Sequence, residues 1–384
     1  MLFQPEVHSE NDFLPITGTD YLEFYVGNAR QSAYYYRAAF GMSLVAWAGP
    51  ETGLRDRASY VVEQGGIRLV LTTPLRPDGG IADHIRRHGD GVRDIAMCVD
   101  DAKQAWREAT RRGARSIHEC HELEDEYGRV KLASIAAYGD TIHTFVERDK
   151  YFGPFLPGYH PIDHGDSFQD PVARPVGLTA IDHIAGNVGW NELRRWIDFY
   201  TDVLGFSLHR SSEAEDESSA QTTGSSRVVT CYQGGISFPI NEPAEEKHKA
   251  RERGKSWIEQ YLESYHGPGV QRIALATENI LETVEKMRGQ GVEFLSIPSS
   301  YYARLRTRKG CIDESIDDLQ RLGILVDQDE SGYMLQAVTR PVEDRPTLFF
   351  EIVQRKGCGG FGAESFRALS EAIEVETRSL QNRS

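Results

Sequence analysis

The sequence is short of positive charge and of cysteine, and it has no long apolar run. Its 384 residues hold 43 Lys and Arg against 58 Asp and Glu, a formal net charge of −15. An acidic excess on this scale repels a phosphate backbone and leaves no basic patch for an anionic bilayer, so neither nucleic acid nor membrane is expected as a partner. The five cysteines, Cys98, Cys120, Cys231, Cys311 and Cys358, are odd in number, and no two are spaced as CxxC. That argues against a disulfide frame and a zinc-thiolate site, and for a reducing, cytoplasmic compartment. No apolar run is long enough to span a bilayer. Residues 1–10 lack the basic start and apolar core of a secretory signal. With 40% hydrophobic and 26% charged residues, the balance is that of a globular chain with room for two domains.

What the chain does have is a repeat. Tyr21 to Val26 reads as a strand, Gly27-Asn28 as a turn, and 31–40 as a helix stopped by Gly41. Strands follow at 43–48, 59–63 and 67–72, a β-α-β-β-β unit. A second unit opens at Gly91 to Met97, with a helix over 101–112 and strands at 131–135 and 142–147. Prolines and glycines crowd 150–177, which places a boundary between a domain at 20–149 and another at 178–384. Beyond it the pattern returns. Ile181 to Asn187 matches Leu22 to Asn28, Leu204-Gly205-Phe206 matches Phe40-Gly41-Met42, and Gly269 to Leu275 matches Gly91 to Met97 at an offset of 178 residues. The closing strand 141–148 matches 348–355. Four such units in two pairs predict an α+β fold of two half-closed, curved sheets able to enclose a ligand.

The chemistry sits in the second copy. Phe349-Phe350-Glu351-Ile352-Val353 is a buried strand with one carboxylate inside it, and such a charge needs a partner or a metal. In this alignment His183 stands where the first copy has Phe24, Glu351 where it has Thr144, and Arg272 where it has Asp94. A His and a Glu on neighbouring strands of a cup can hold a hard or borderline metal, and a second His would complete the facial triad of non-haem Fe(II). The plainer alternative is a core histidine, with Glu351 paired to Arg272.

The motifs Asp182-His183-Ile184-Ala185-Gly186-Asn187, Ser237 to Pro243, Gly269-Val270-Gln271, Ile324 to Asp329, Gly332 to Gln336, Asp344 to Thr347, Phe349 to Ile352 and Gly360-Phe361-Gly362 resemble those of the 4-hydroxyphenylpyruvate dioxygenases, from about Tyr21 to the last helix. The resemblance implies the vicinal-oxygen-chelate fold, duplicated βαβββ modules forming two open barrels with a C-terminal gating helix. It also implies an Fe(II) centre of two His and one Glu, with a 2-oxo acid and O2 as substrates. The implied reaction, in tyrosine catabolism, is oxidative decarboxylation and hydroxylation of an arylpyruvate to homogentisate; the sister hydroxymandelate synthases hydroxylate the benzylic carbon instead. By motif, His183 and Glu351 are implied as metal ligands, and Gln271 and Gln336 as catalytic pocket residues. Ser226, Asn241, Arg272, Phe361 and Phe366 are implied to bind or cover substrate. A homo-oligomer is expected, with the N-terminal half structural.

Two departures from the family pattern stand out. The second ligand His should follow Gln271, and the residue there is Arg272; a guanidinium keeps its proton and has no lone pair to donate. Two ligands alone are expected to hold Fe(II) weakly or not at all. His266 lies six residues upstream, too far along a strand rising about 3.3 Å per residue to substitute. Beside Gln336, Ala337 and Val338 replace bulkier residues and would widen the pocket. The alternatives are therefore an iron dioxygenase, a hydroxymandelate-type oxygenase, and a metal-deficient paralogue in which Arg272 binds a 2-oxo acid. His160-Pro161-Ile162-Asp163-His164 reads as a solvated loop, and Arg304, Arg306, Arg308 and Lys309 as a charged excursion between strands. Gly357-Cys358-Gly359-Gly360 reads as a hinge before the last helix.

Overall fold

The computed structural model describes residues 13–163, 170–209, 224–232, 234–244, 255–307 and 312–362. Among them the chain builds two mixed sheets with helices between and beside them. The first half runs β1 (Ile16–Tyr25), α1 (Ala29–Phe40), β2 (Ser43–Ala48), β3 (Arg57–Gln64), β4 (Ile67–Pro74), α2 (Gly80–His88), β5 (Gly91–Val99), α3 (Ala102–Arg111), β6 (Ser116–Asp125), β7 (Gly128–Ala136), β8 (Ile142–Glu147) and β9 (His160–Pro161). The second runs β10 (Leu178–Asn187), α4 (Leu193–Asp198), β11 (Ser207–Leu208), β12 (Ser225–Thr230), β13 (Ser237–Glu242), α5 (Trp257–Tyr265), β14 (Gly269–Thr277), α6 (Ile280–Gly289), α7 (Ser299–Leu305), α8 (Ile316–Leu322), β15 (Leu325–Asp329), β16 (Gly332–Val338) and β17 (Phe349–Lys356).

The sheet orders are β6-β7-β8-β5-β1-β4-β3-β2-β9 and β11-β12-β13-β10-β14-β17-β16-β15. Each is a curled half-barrel made of two βαβββ units whose first strands, β1 with β5 and β10 with β14, run antiparallel at its centre.

Local chemistry sets the helix ends. Asn28 caps α1 by accepting from the Gln31 amide at 3.1 Å, and Gly41 ends it with φ 67°. A Cβ on Gly41 would stand 2.1 Å from the Arg174 carbonyl oxygen, so only glycine fits. The helical turn over 199–203 that continues α4 closes in the same way, with the Phe206 amide on Tyr200 O as the Met42 amide is on Tyr36 O.

One core joins the halves. Leu22, Phe24, Ile95 and Phe145 from the first sheet cluster with Ile184, Ile273, Phe350 and Ile352 from the second. Each half's helix reaches the other half's sheet. Tyr36 and Phe40 of α1 meet Phe350 of β17 edge-on, with ring centroids 5.9 and 4.8 Å away. In the mirrored position, the Tyr200 hydroxyl lies 2.8 Å from His143 Nε2 of β8. The faces turned away from this core are the two cups.

Two expectations need correction. His183 pairs across the sheet with Ala274, as Tyr21 pairs with Ala96, so its counterpart is Tyr21 and not Phe24. The hydrogen bonds of Val188 to Asn241 O and of Val26 to Thr72 O fix the same offset; the similar Asn187 and Asn28 slid the sequence match by three residues. His160 and Pro161 are not a loop but a short strand on the edge of β2, with His164 outside the described residues. The charged stretch around Arg304 does lie between strands, β14 and β15, and its described part is helical, in α7 and α8; Arg308 and Lys309 are outside the described residues. Cys98, Cys120 and Cys358 are free thiols, and Cys311 lies outside the described residues. Among the described residues no helix is long and apolar enough to cross a membrane.

Candidate functional site

Strand alternation builds the second cup. Phe350 and Ile352 enter the common core, so Glu351 and Val353 face the other way. Across the central strands, His183, Ala274 and Glu351 form one row. Because the residue between them is only alanine, the histidine and the carboxylate reach each other over it: His183 Nε2 lies 3.2 Å from Glu351 Oε2. Register shifts set the neighbours. The shift between Ile181 and His183 leaves Asp182 as the extra residue, and its carboxylate meets His183 Nδ1 at 2.7 Å. The shift between Ala185 and Gly186 leaves Gln271 unpaired beside Arg272; bulges of this kind let consecutive side chains share a face.

Arg272 donates from Nη1 to Glu351 Oε1 at 2.9 Å, and both side chains are buried. On the far side of His183, Arg355 holds Asp182 with two hydrogen bonds of 2.7 and 2.8 Å. Five side chains thus form one chain of contacts, Arg272–Glu351–His183–Asp182–Arg355. Burial by itself would raise the Glu351 carboxyl, but the Arg272 charge and His183 outweigh it and hold it below its ordinary value. Asp182 is likewise raised by burial and lowered further by the Arg355 and His183 hydrogen bonds, and it ends well below the usual carboxylate range.

A row of amides continues the cup. Asn187 Nδ2 donates to Gln271 Oε1 at 2.6 Å, and Asn241 Nδ2 donates to Asn187 Oδ1 at 3.1 Å. Ser226 is opposite Asn241 on β12 and exposed, at the rim. Gln336 is buried and pairs with Val353, on the Glu351 face of β17. Gly362, with φ 82°, crosses directly over it; a Cβ there would stand 3.0 Å from Gln336 Oε1. Arg355 Nη1 binds the Cys358 and Gly360 carbonyls. The glycine-rich segment is thereby tied down, and Phe361 is set edge-on over His183 at 5.5 Å. Val338 is opposite Glu351 and borders the cup, whereas Ala337 belongs to the common core and leaves the pocket unchanged. Phe366 and the expected gating helix lie outside the described residues. His266 is exposed at the left-handed end of α5 and is not among the cup side chains.

Asn187, Asp182 and Arg355 join the site without having been singled out in the sequence. Asp182 directly precedes His183, while Asn187 and Arg355 each follow a predicted ligand by four residues on the same strand.

The first cup shows what the same fold does without a site. Tyr21, Asp94 and Thr144 occupy the positions of His183, Arg272 and Glu351. Thr144 donates to Asp94 Oδ2 at 2.5 Å, Tyr21 lies 3.5 Å from the same oxygen, and Phe155 covers Tyr21 edge-on. A separate open cleft of about 340 Å³ in the first half touches Arg30, Arg37, Trp47 and Tyr60; Arg37 is committed to Asp170, and the cleft holds none of the predicted site residues.

The donor set can be weighed against a metal ion. His183 Nε2 and Glu351 Oε2 have no hydrogen-bond partner, and their 3.2 Å separation suits two adjacent donors on one ion at about 2.1 Å each. A third donor is missing: Asp182 meets His183 on its other ring nitrogen, and among the described residues no three His, Cys, Asp or Glu side chains are placed to hold one metal ion. The third position is held by a cation that also occupies one oxygen of Glu351. A divalent ion ~5 Å from that guanidinium, at an effective dielectric of ~20, would meet a repulsion of roughly 7 kcal/mol. The residues present do not fit a facial-triad metal.

Two family models match the chain: "Hydroxyphenylpyruvate dioxygenase, HPPD, N-terminal" over residues 11–154 and "Glyoxalase/Bleomycin resistance protein/Dioxygenase superfamily" over residues 180–336. Among curated relatives, 4-hydroxyphenylpyruvate dioxygenase of Dictyostelium discoideum is 42% identical over 95% of this chain and 99% of its own. That of Yarrowia lipolytica is 41% identical over 94% and 92%. A solved structure of a 4-hydroxymandelate synthase mutant from Streptomyces coelicolor superposes with a TM-score of 0.81 at 30% identity, covering 95% of this chain and all of the other.

Proposed function

The chain belongs to the 4-hydroxyphenylpyruvate dioxygenase family of non-haem iron enzymes, and from that premise we propose that its second cup receives an arylpyruvate and that its reaction is the family's: O2-dependent decarboxylation and hydroxylation, giving homogentisate from 4-hydroxyphenylpyruvate. The supporting observation is convergence. His183, Glu351, Gln271, Asn187, Asn241 and Gln336 come from five strands onto one concave face, and Phe361 stands edge-on over His183. The amide row offers donors and acceptors for the polar groups of the substrate, and Phe361 offers a ring face for its aryl group while excluding water. Asp182 and Arg355 hold the His183 ring in place. Fe(II), the family's cofactor, would find two of its three protein ligands here, His183 and Glu351, with Arg272 at the third position. We also propose a homo-oligomer in a reducing, cytoplasmic setting, with the first half as support.

A second reading is favoured by the Arg272–Glu351 bond: a cup that binds a 2-oxo acid without oxygenating it. Oxygen uptake and product analysis on protein reconstituted anaerobically with Fe(II) and given 4-hydroxyphenylpyruvate separate the two. Uptake with homogentisate supports the dioxygenase, and uptake with 4-hydroxymandelate assigns the chain to the sister activity. No uptake in the presence of substrate binding leaves the second reading.

A further inference from the structure

Three polar atoms at the base of the cup are buried without a hydrogen bond: His183 Nε2 and Glu351 Oε2, which lie 3.2 Å apart, and Arg272 Nε. The first two are what a metal-binding ancestor would leave behind. The third sits on a residue where the family pattern calls for a ligand His, and it changes the charge balance. Asp182 and Glu351 bring two negative charges, and Arg355 and Arg272 bring two positive ones. The buried set is balanced by its own side chains, so a divalent ion would add charge with nothing to offset it. Arg272 uses Nη1 on Glu351 and leaves the Nε–H idle at 5% exposure. A buried unsatisfied N–H is unfavourable, and the guanidinium edge carrying Nε suits a planar carboxylate best.

We infer that in this chain Arg272 takes the place of the metal: the guanidinium neutralises Glu351, excludes a divalent cation, and binds the carboxylate of a 2-oxo acid on its remaining edge. The inference rests on the reading that the cup takes a 2-oxo acid, and it departs from the family's oxygenation. Arg272 lies beside Gln271 on the same strand and opposite Phe349 on β17.

The test uses the full chain and two variants, Arg272→His and Arg272→Lys, each checked for folding by circular dichroism. Co(II), whose visible spectrum reports its ligands, and anaerobic Fe(II) are titrated as metals. 4-Hydroxyphenylpyruvate binding is measured by calorimetry with and without a chelator. The natural protein is expected to bind the 2-oxo acid unchanged in chelator and to show no Co(II) spectrum at equimolar metal. Arg272→His should reverse both, binding Co(II) and Fe(II) at least 100-fold more tightly and losing chelator-resistant binding at least tenfold. Arg272→Lys should still exclude metal but bind the 2-oxo acid about tenfold more weakly, because an ammonium lacks the planar fork.

Near-stoichiometric iron in the natural protein, or 2-oxo acid binding that the chelator abolishes, would overturn the inference and leave the family reading standing. Failure of every folded variant to bind 4-hydroxyphenylpyruvate, with or without metal, would overturn the reading of the cup together with the inference.

Discussion

The Arg272–Glu351 pair can be tested as a structural element, apart from any ligand. Glu351→Gln leaves a buried guanidinium beside a neutral amide, and Arg272→Met leaves a buried carboxylate with only His183. Removing one partner of a buried ion pair costs about 3–5 kcal/mol, whereas replacing both by apolar side chains of similar volume is often neutral or stabilising. Because the two halves share one core, the chain should unfold largely as a unit. At about 2.1 cal/mol/K per residue, 384 residues give an unfolding entropy of roughly 0.8 kcal/mol/K. Each single variant should then lower the midpoint by roughly 4–6 °C, and the double variant Arg272→Met/Glu351→Met should return to within about 1–2 °C of the natural protein. Differential scanning calorimetry in chelator, so that no metal contributes, compares the natural protein with the three variants. A Glu351→Gln midpoint equal to or above that of the natural protein would refute the pairing, since it would show Glu351 to be a strained ligand relieved by neutralisation.

Two further outcomes follow from the neighbouring geometry. Burial pushes the Asp94 carboxyl up to about 8, with the Thr144 hydrogen bond opposing and the Glu23 charge adding to it. An acid whose folded value is raised supports the fold fully below its unfolded value near 4, and that support is lost as pH rises through 8. Asp94→Asn should therefore leave stability at pH 4 little changed and raise it at pH 9, by at most about 5 kcal/mol; parallel urea melts at the two pH values check the sign, and equal effects at both would contradict it. Ala274→Val places two methyl groups between His183 and Glu351, which now meet above the alanine. Overpacking of this kind costs about 1–3 kcal/mol, and the variant should lose most of its 4-hydroxyphenylpyruvate affinity while keeping the natural circular dichroism spectrum; unchanged affinity would show that the His183–Glu351 row is not part of the binding surface.

Much of the site was legible in the sequence because it depends on period and type. One carboxylate in an apolar strand announced Glu351, and the offset of 178 residues placed Arg272 opposite Asp94. What stayed hidden depends on register. The bulges that set Asp182 beside His183 and Gln271 beside Arg272 each add one residue to a strand, a change that alternation of apolar residues does not record. The same blindness slid His183 from Tyr21 to Phe24, because the apolar pattern of β1 tolerates a shift that only the pairing with β5 can settle. The amide row and the Asp182–Arg355 clamp join residues from different strands and have no spacing to betray them.

The two cups are the internal control for these arguments. They share topology, register and a burial problem, since each places an ionisable group at the position of Arg272. In the first cup that group is Asp94; Thr144 donates to it, Tyr21 is beside it, and burial keeps it protonated near neutral pH. In the second the charge is retained and answered by an opposite one, while Arg272 Nε makes no hydrogen bond and His183 Nε2 and Glu351 Oε2, 3.2 Å apart, make none either. The fold alone does not demand that arrangement, for the first cup leaves only Asp94 Oδ1 of its three counterpart side chains without a partner. Unsatisfied polar atoms concentrated on one side of a pseudo-symmetric pair are better explained by a ligand than by packing, and a carboxylate meeting the guanidinium is the ligand whose charge and shape fit the residues in place.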